Sequence, residues 1–333
     1  MQPSVGHPSA GPAGATEGRL LVLAGGLSHE RDVSLRSGRR VAEALRDIGV
    51  EVDVRDVDAD LLASLREEPP MCVLPLLHGE TGEDGALREV LELLGLPYVG
   101  AQPAACRAAF DKPVAKEVVT RAGLRTPRSV TLPHEAFREL GAAGVMSAMV
   151  SSLGLPLFVK PARGGSALGC TVVPDAAALP GAMVTAFAYG HTALVEQLVV
   201  GQEVAVPVVD TGSGPRALPV VSIEADGGVY DYTARYTAGS TEFVVPAKLA
   251  DDVVAECARV AVTAHQALGL RDLSRSDLIV DADGTVWFLE VNLAPGLTET
   301  STVPLSVQAE GLDLGELMVD LVRVAVARRS SGA

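Results

Sequence analysis

The chain is 333 residues long, 48% hydrophobic and 21% charged, with 27 Lys+Arg against 42 Asp+Glu and a formal net charge of −15. That length allows two to three cored domains of roughly 150 residues each, with no need of disulfide or metal staples. The acidic balance argues against nucleic acid and anionic membranes as partners, because both are bound through cationic surface.

Residues 1–18 are rich in Pro, Gly, Ala and Ser and are predicted to be a flexible tail. Folded sequence begins at Arg19–Gly26, an apolar run ending in two glycines, which reads as a buried parallel strand feeding a turn. A helix follows over Val33–Ile48, closed by Gly49. The segment VEVDVRDV gives a second strand, and MCVLPLL a third that runs into His78–Gly85. This alternation predicts a doubly wound α/β domain over 19–102. Such sheets bind ligands beyond the carboxyl ends of their strands, so Gly25–Glu30 and Leu77–Gly85 fall on one rim.

From 103 the texture changes. A helix carrying Lys112 and Lys116 stops at Gly123, and a second helix is predicted over 134–150. Leu155–Ala162 reads as a strand, Arg163–Gly169 as a glycine-rich loop and CTVV as the returning strand; after one more helix, ALVEQLV forms a strand. This predicts a small α+β domain on an antiparallel sheet over 103–196. The last domain, 197–333, holds the strands VAVPVVD and ALPVVSIEA, a polar stretch at Tyr230–Pro246 and a helix at 251–268. A hairpin, DLIVDADGTVWFLEVN, turns on its DADG, and a final helix is predicted over Ser306–Arg328. No apolar run reaches the ~20 residues that span a bilayer, and no secretory signal is visible. A cytoplasmic enzyme or binding protein is expected. The scattered Cys72, Cys106, Cys170 and Cys257 are expected to act as small buried hydrophobes.

The hairpin carries the clearest chemistry. Asp277 lies on one strand, and Glu290 and Asn292 stand two apart on its partner; Arg275, two before Asp277, shares the face. Hard oxygen ligands across a hairpin suit Mg²⁺, which takes few protein ligands and completes its shell with substrate phosphates. The loop 163–169 matches neither G-x-x-x-x-G-K-[ST] nor G-x-G-x-x-G. It reads as a flap whose N–H groups and Ser166 hydroxyl could cover phosphates, or equally as a plain turn. Lys160, just before it in FVKP, has no structural reason to be there. His78, Glu30 and Tyr236 each have an ordinary alternative, as a structural histidine, a helix N-terminal acid and a packing aromatic.

Taken together, these stretches resemble the D-alanine–D-alanine ligase family of the ATP-grasp superfamily. The matching segments are GGLSHERDVSLRSG (25–38), LHGETGEDGALREVLELLGLPYVG (77–100), FDK (110–112), LPLFVKPARGGSALG (155–169), EQLVVGQEV (196–204), YDYTARYTAGSTEFVVPA (230–247), SRSDLIV (274–280) and FLEVNLAPGLTETSTVP (288–304). The resemblance implies an ATP-grasp fold behind a doubly wound α/β (pre-ATP-grasp) domain. It implies an enzyme in which ATP phosphorylates the carboxylate of one D-alanine and the amine of a second attacks the acyl phosphate. By position, Lys112, Lys160 and Arg235 would hold the ATP phosphates, Glu196, Gln197, Leu198 and Val199 would lie along the adenine, and Glu203 on the ribose. Asp277, Glu290 and Asn292 would bind two Mg²⁺, with Mn²⁺ as a substitute. Glu30 would bind the first ammonium and, with Ser166 and Tyr236, link the first domain to two flaps. His78 would lie near the acyl phosphate, Arg275 and the Gly296 N–H would stabilise the oxyanion, and Ser301 would bind the second carboxylate.

The sequence departs from the family pattern at four places: Ala167 for a second flap Ser, Arg235 for a Lys, Ala294 for Ser/Thr, and Thr302 for Leu. The expected function is D-alanyl-D-alanine synthesis for peptidoglycan precursors by a cytoplasmic homodimer. The alternatives are a ligase using D-serine, D-lactate or another amine as acceptor, and a non-catalytic ATP-binding regulator, which would not need Arg275. Only four of the 27 cationic residues are lysines. Lys112 and Lys160 fall at phosphate positions, which suit a compact ammonium; Lys116 and Lys248 receive no role.

Overall fold

The computed structural model describes residues 18–225 and 241–331. The tail predicted over 1–18 lies outside them except for Gly18, as do Arg235 and Tyr236.

The first layer is built from β1 (Leu20–Leu23), α1 (Arg31–Asp47), β2 (Val52–Arg55), α2 (Leu61–Glu67) and β3 (Cys72–Pro75). Its strands are all parallel in the order β2-β1-β3, with Leu20 beside both Val52 and Cys72. Both β1 and β3 are buried along their whole length, which is why their sequences are continuous apolar runs rather than alternating ones. Gly49, at φ +82°, lets the chain leave α1 in the left-handed conformation that a side chain would oppose. The turn α3 (Glu80–Glu83) and the helices α4 (Ala86–Leu93), α5 (Pro103–Phe110) and α6 (Lys112–Arg121) follow.

The second sheet comes from β4 (Ser129–Pro133), α7 (His134–Leu140), α8 (Ala142–Leu153), β5 (Leu157–Pro161), β6 (Thr171–Val173), α9 (Leu179–Phe187) and β7 (Thr192–Gln197). Its order is β4-β7-β5-β6, antiparallel throughout, over its own core of residues such as Leu157, Val159, Leu179 and Val195. The third and largest sheet contains β8 (Gly201–Val209), β9 (Arg216–Ala217), β10 (Val221–Ala225), β11 (Thr241–Val244), β12 (Leu273–Asp281) and β13 (Val286–Asn292). The order is β11-β10-β8-β12-β13, with β9 on the far half of β8. Helix α10 (Asp251–Ala267) covers one face, and α11 (Thr302–Ala309) and α12 (Leu314–Ser331) close the chain.

Three segments differ from the sequence expectation. The helix predicted over 134–150 is two helices, broken at Gly141 with φ +86°. The final helix is also two, α11 and α12, parted by a turn in which Gly311 takes φ +76°. The end of the polar stretch, Thr241–Val244, is a strand paired antiparallel with β10, whose outer edge it covers. Helices α5 and α6, read with the central domain, bury Cys106, Ala109, Ala115 and Val119 in the core of the large sheet. Helix α12 places Leu317, Met318, Leu321 and Val322 in one core with Leu20, Val22, Val41 and Leu45 of the first layer. At about 1.5–3 kcal/mol for each fully buried side chain, this makes the two ends of the described chain one packing unit.

All four cysteines are free, Cys72, Cys106 and Cys257 being buried and Cys170 half-buried. Burial pushes the thiols of Cys72 and Cys257 up to about 12 and about 11, so both are inert apolar groups.

Candidate active site

The first layer presents two loops beyond the carboxyl ends of its strands, as the parallel order requires. They are stitched together by short side chains. The Ser34 hydroxyl accepts the Gly25 N–H at 2.8 Å and donates to the Leu76 carbonyl at 2.7 Å, while the Ser28 hydroxyl donates to the His78 carbonyl at 2.8 Å. His78 is 5% exposed, and its Nδ1 lies 2.6 Å from the Ala294 carbonyl. A carbonyl only accepts, so Nδ1 carries the proton and Nε2 is left as the basic nitrogen, 3.4 Å from the Ser37 hydroxyl. Burial holds the imidazole below its ordinary pKa, so it is neutral near pH 7.

The hairpin β12–β13 supplies the opposite wall. Arg275 pairs with Asn292 and Asp277 with Glu290 across the ladder, which brings the four side chains to one face. A bulge follows directly: Leu278 pairs with Phe288, leaving Leu289 as the extra residue. Arg275 grips Asp277 with both arms, Nε to Oδ1 and Nη2 to Oδ2, each at 2.6 Å. Lys112 Nζ stands 3.4 Å from Glu290 Oε2 and donates to the Gly164 carbonyl at 2.6 Å, tying the glycine-rich loop to the hairpin. The loop is also held from the first layer, because the Ser166 hydroxyl donates to Glu30 Oε1. Both Ser166 and Ala167 sit in the left-handed region, at φ +53° and +54°, a conformation held at a cost by these contacts.

A third cluster lies between α6, β5 and β7. Glu196 is 2% exposed and is clamped by two buried ammoniums, Lys160 at 2.7 Å and Lys116 on the other oxygen. Burial works against its carboxylate, but the two lysines hold its pKa below the ordinary value. For the same reason burial alone would lower Lys160, yet Glu196 keeps it above the ordinary lysine range. Burial wins at Lys116, which is lowered. The three groups leave one excess positive charge beneath the cavity that Lys160 and Glu196 line, a standing attraction for an anion.

Two cavities adjoin here. The larger, about 670 Å³, is lined by Lys112, Lys160, Glu196, Gln197, Leu198, Val199 and Glu203. The smaller, about 450 Å³, is lined by Glu30, His78, Ser166, Arg275, Asn292, Gly296 and Ser301. Asp277, Glu290, Lys112 and the backbone at Gly164 and Gly165 belong to both, so the hairpin face is the shared wall. Every described residue to which the resemblance gave a site role therefore borders one of these two spaces; Arg235 and Tyr236 lie outside the described residues. Two side chains had been given no role. Lys116 was signalled by its place one helical turn beyond Lys112 in a lysine-poor chain. Glu83, also in the wall of the smaller cavity, carried no signal among the other acids of ETGEDG.

Comparison with known proteins gives a consistent set of likenesses. A family model described as "D-ala D-ala ligase C-terminus" matches residues 118–323. A D-alanine–D-alanine ligase from Bordetella petrii is 40% identical over 333 residues, covering 100% of this chain and 99% of the relative. Among solved structures, the VanG D-Ala:D-Ser ligase from Enterococcus faecalis superposes with a TM-score of 0.81 at 28% identity, over 92% of this chain and 99% of that one. A D-alanine–D-alanine ligase from Bacillus anthracis complexed with ATP gives 0.75 at 26% identity, over 94% and 99%.

Proposed function

Because the chain belongs to the D-alanine–D-alanine ligase family and is an ATP-dependent ligase joining two D-alanines on an ATP-grasp fold, we propose that its adjoining cavities divide the reaction. The larger takes ATP and the smaller takes the two amino acids. The observation that carries this reading is the shared wall: Asp277, Glu290 and Lys112 border both spaces, with Arg275 and Asn292 beside them on the smaller side, where a phosphoryl group would pass from one space to the other.

The chemistry follows from charge. Transfer of the γ-phosphoryl group to a carboxylate brings two anions together, so catalysis is mainly positioning and neutralisation. Lys112 and Lys160 supply fixed cations on the nucleotide side, with Glu196–Val199 along the base and Glu203 at the ribose. Glu30 receives the ammonium of the first D-alanine, and Ser166 orients that carboxylate while the loop 163–169 shields the acyl phosphate from water. The second D-alanine, held by its carboxylate at Ser301, attacks the acyl carbon. A C–N bond forms, the C–O bond to phosphate breaks, and the amine proton leaves. Arg275 and the Gly296 N–H face the oxyanion, and His78 lies beside the acyl phosphate; Arg235 and Tyr236, to which the resemblance gives roles at the ATP phosphates and beside Glu30 and Ser166, lie outside the described residues.

The donor set at the wall fits a divalent cation of the magnesium kind. Two carboxylates and an amide offer hard oxygens on one face, and among the described residues no cage of three or more His, Cys, Asp or Glu competes with it. Asp277, Glu290 and Asn292 would hold two Mg²⁺, which supply charge neutralisation for the ATP phosphates. Arg275 and Lys112 balance the two carboxylates from within the chain. We further infer a homodimer in the cytoplasm that supplies D-alanyl-D-alanine for peptidoglycan.

Steady-state kinetics by coupled ADP release tests the division of labour. Lys160→Met is expected to raise KM for ATP, and Ser301→Ala to raise KM for the second D-alanine while leaving KM for ATP unchanged. Glu290→Gln is expected to lower kcat by about 100-fold or more, on the scale of losing one electrostatic group at a transferring centre. A Glu290→Gln enzyme of wild-type kcat, or a Ser301→Ala enzyme altered only in its use of ATP, would overturn the assignment.

A further inference from the structure

Glu83 lies in the wall of the smaller cavity, and the reaction as described gives it nothing to do. It is 6% exposed on the short turn α3, and its Oε1 accepts the Gly79 N–H at 3.0 Å. Glu30 approaches the same glycine from another side: a Cβ on Gly79 would stand 3.0 Å from Glu30 Oε2. Two carboxylates thus flank one backbone position and border one cavity. Neither forms an ion pair within 4.0 Å among the described residues; Arg36 on α1 also borders the cavity, and three other nearby cations are committed elsewhere. Lys112 is held by the Gly164 carbonyl and Glu290, Arg88 donates to the Gly82 carbonyl, and Arg275 is locked on Asp277.

We propose that Glu83 is a second anionic partner for the ammonium of the first D-alanine, sharing it with Glu30, and that Glu83 gives up a proton as that ammonium arrives. The proposal rests on the reading of this cavity as the amino-acid site. A buried carboxylate beside a half-buried one does not ionise cheaply without a counter-ion. Burial, and then Glu30, push Glu83 up to about 7, against the Gly79 N–H, Lys112 on α6 and Arg88 on α4, which pull it down. Cys106 on α5 contributes no charge, since burial keeps its thiol protonated, and Asp84 is the adjoining acid in the chain. Near pH 7 Glu83 therefore carries about half a proton in the free site. An arriving ammonium favours the second anion: the Glu83 O–H bond breaks, the proton goes to solvent, and two carboxylates face the substrate nitrogen.

The ordinary role for Glu83 is to cap the Gly79 N–H, and Glu83→Gln keeps that acceptor while removing the titration. The test is calorimetric titration of the full chain, loaded with Mg²⁺ and a non-hydrolysable ATP analogue, with D-alanine at pH 7 in two buffers of different ionisation enthalpy. Wild type is expected to release about half a proton per first D-alanine bound. Its KM for the first D-alanine should rise as pH falls below 7, by up to about tenfold per unit. Glu83→Gln should release none and show a flat KM between pH 6 and 8. Binding without proton release in wild type, a measurement that needs no variant, would overturn the proposal, as would equal release from Glu83→Gln. The site reading fails separately: Glu30→Gln that binds D-alanine as wild type does would remove this cavity as the ammonium site, whatever the proton count.

Discussion

A buried lysine is stable only while its counter-charge stays in place, and the Lys116–Glu196–Lys160 cluster shows how one residue governs another here. Lys116 does not border the larger cavity; it acts by fixing Glu196, which in turn fixes Lys160. Lys116→Met leaves Glu196 with a single partner and lets it draw Lys160 inward. The expected result is a rise of about tenfold in KM for ATP, of order 1.4 kcal/mol, with kcat little changed. Stability should fall by about 1–3 kcal/mol, read from urea unfolding. A purely structural lysine would lower stability and leave KM for ATP untouched. Lys116→Arg is not a conservative rescue, because a planar fork does not replace a compact ammonium held against one buried carboxylate oxygen whose twin is taken by Lys160.

Elements in this chain end where glycine permits it. The periodicity of 134–150 is continuous enough to suggest one helix, but Gly141 takes φ +86° and divides it, with open space around the position where a Cβ would stand. Only backbone conformation is at stake there, so Gly141→Ala should cost about 1 kcal/mol in thermal unfolding while ligase activity stays at the wild-type level. A stability gain on that substitution would mean that α7 and α8 can be joined. The hairpin β12–β13 behaved differently, since its DADG turn and alternating apolar residues specify the pairing locally. What the alternation did not disclose is the bulge after Asp277, which sets Leu289 beside Glu290 in the wall of the nucleotide cavity.

Across the whole molecule, the first layer is joined to the end of the chain by one buried acid. Asp272 is 1% exposed and accepts the Gly100 N–H at 2.6 Å, while Arg328 on α12 binds both its oxygens and Arg271 donates to the Gly100 carbonyl at 2.7 Å. Asp272→Ala strands the Gly100 N–H and the Arg328 guanidinium at the seam between the first layer and the large sheet. A loss of about 3 kcal/mol is expected, seen as a lower urea midpoint, with KM for ATP unaffected because the nucleotide cavity lies elsewhere. An unchanged midpoint would show that the apolar core shared by α1 and α12 alone holds the seam. By itself the sequence determined the three strands of the first layer with α1 after the first, the hairpin face of Arg275, Asp277, Glu290 and Asn292, and the cations Lys112 and Lys160. These are local patterns of period, turn chemistry and residue type. Only the tertiary structure decided that α5 and α6 pack on the large sheet, that Lys116 locks Glu196, and that Glu83 meets Glu30 across Gly79. Those facts depend on residues far apart in the chain, or on side-chain directions within a short turn, which no hydrophobic period encodes.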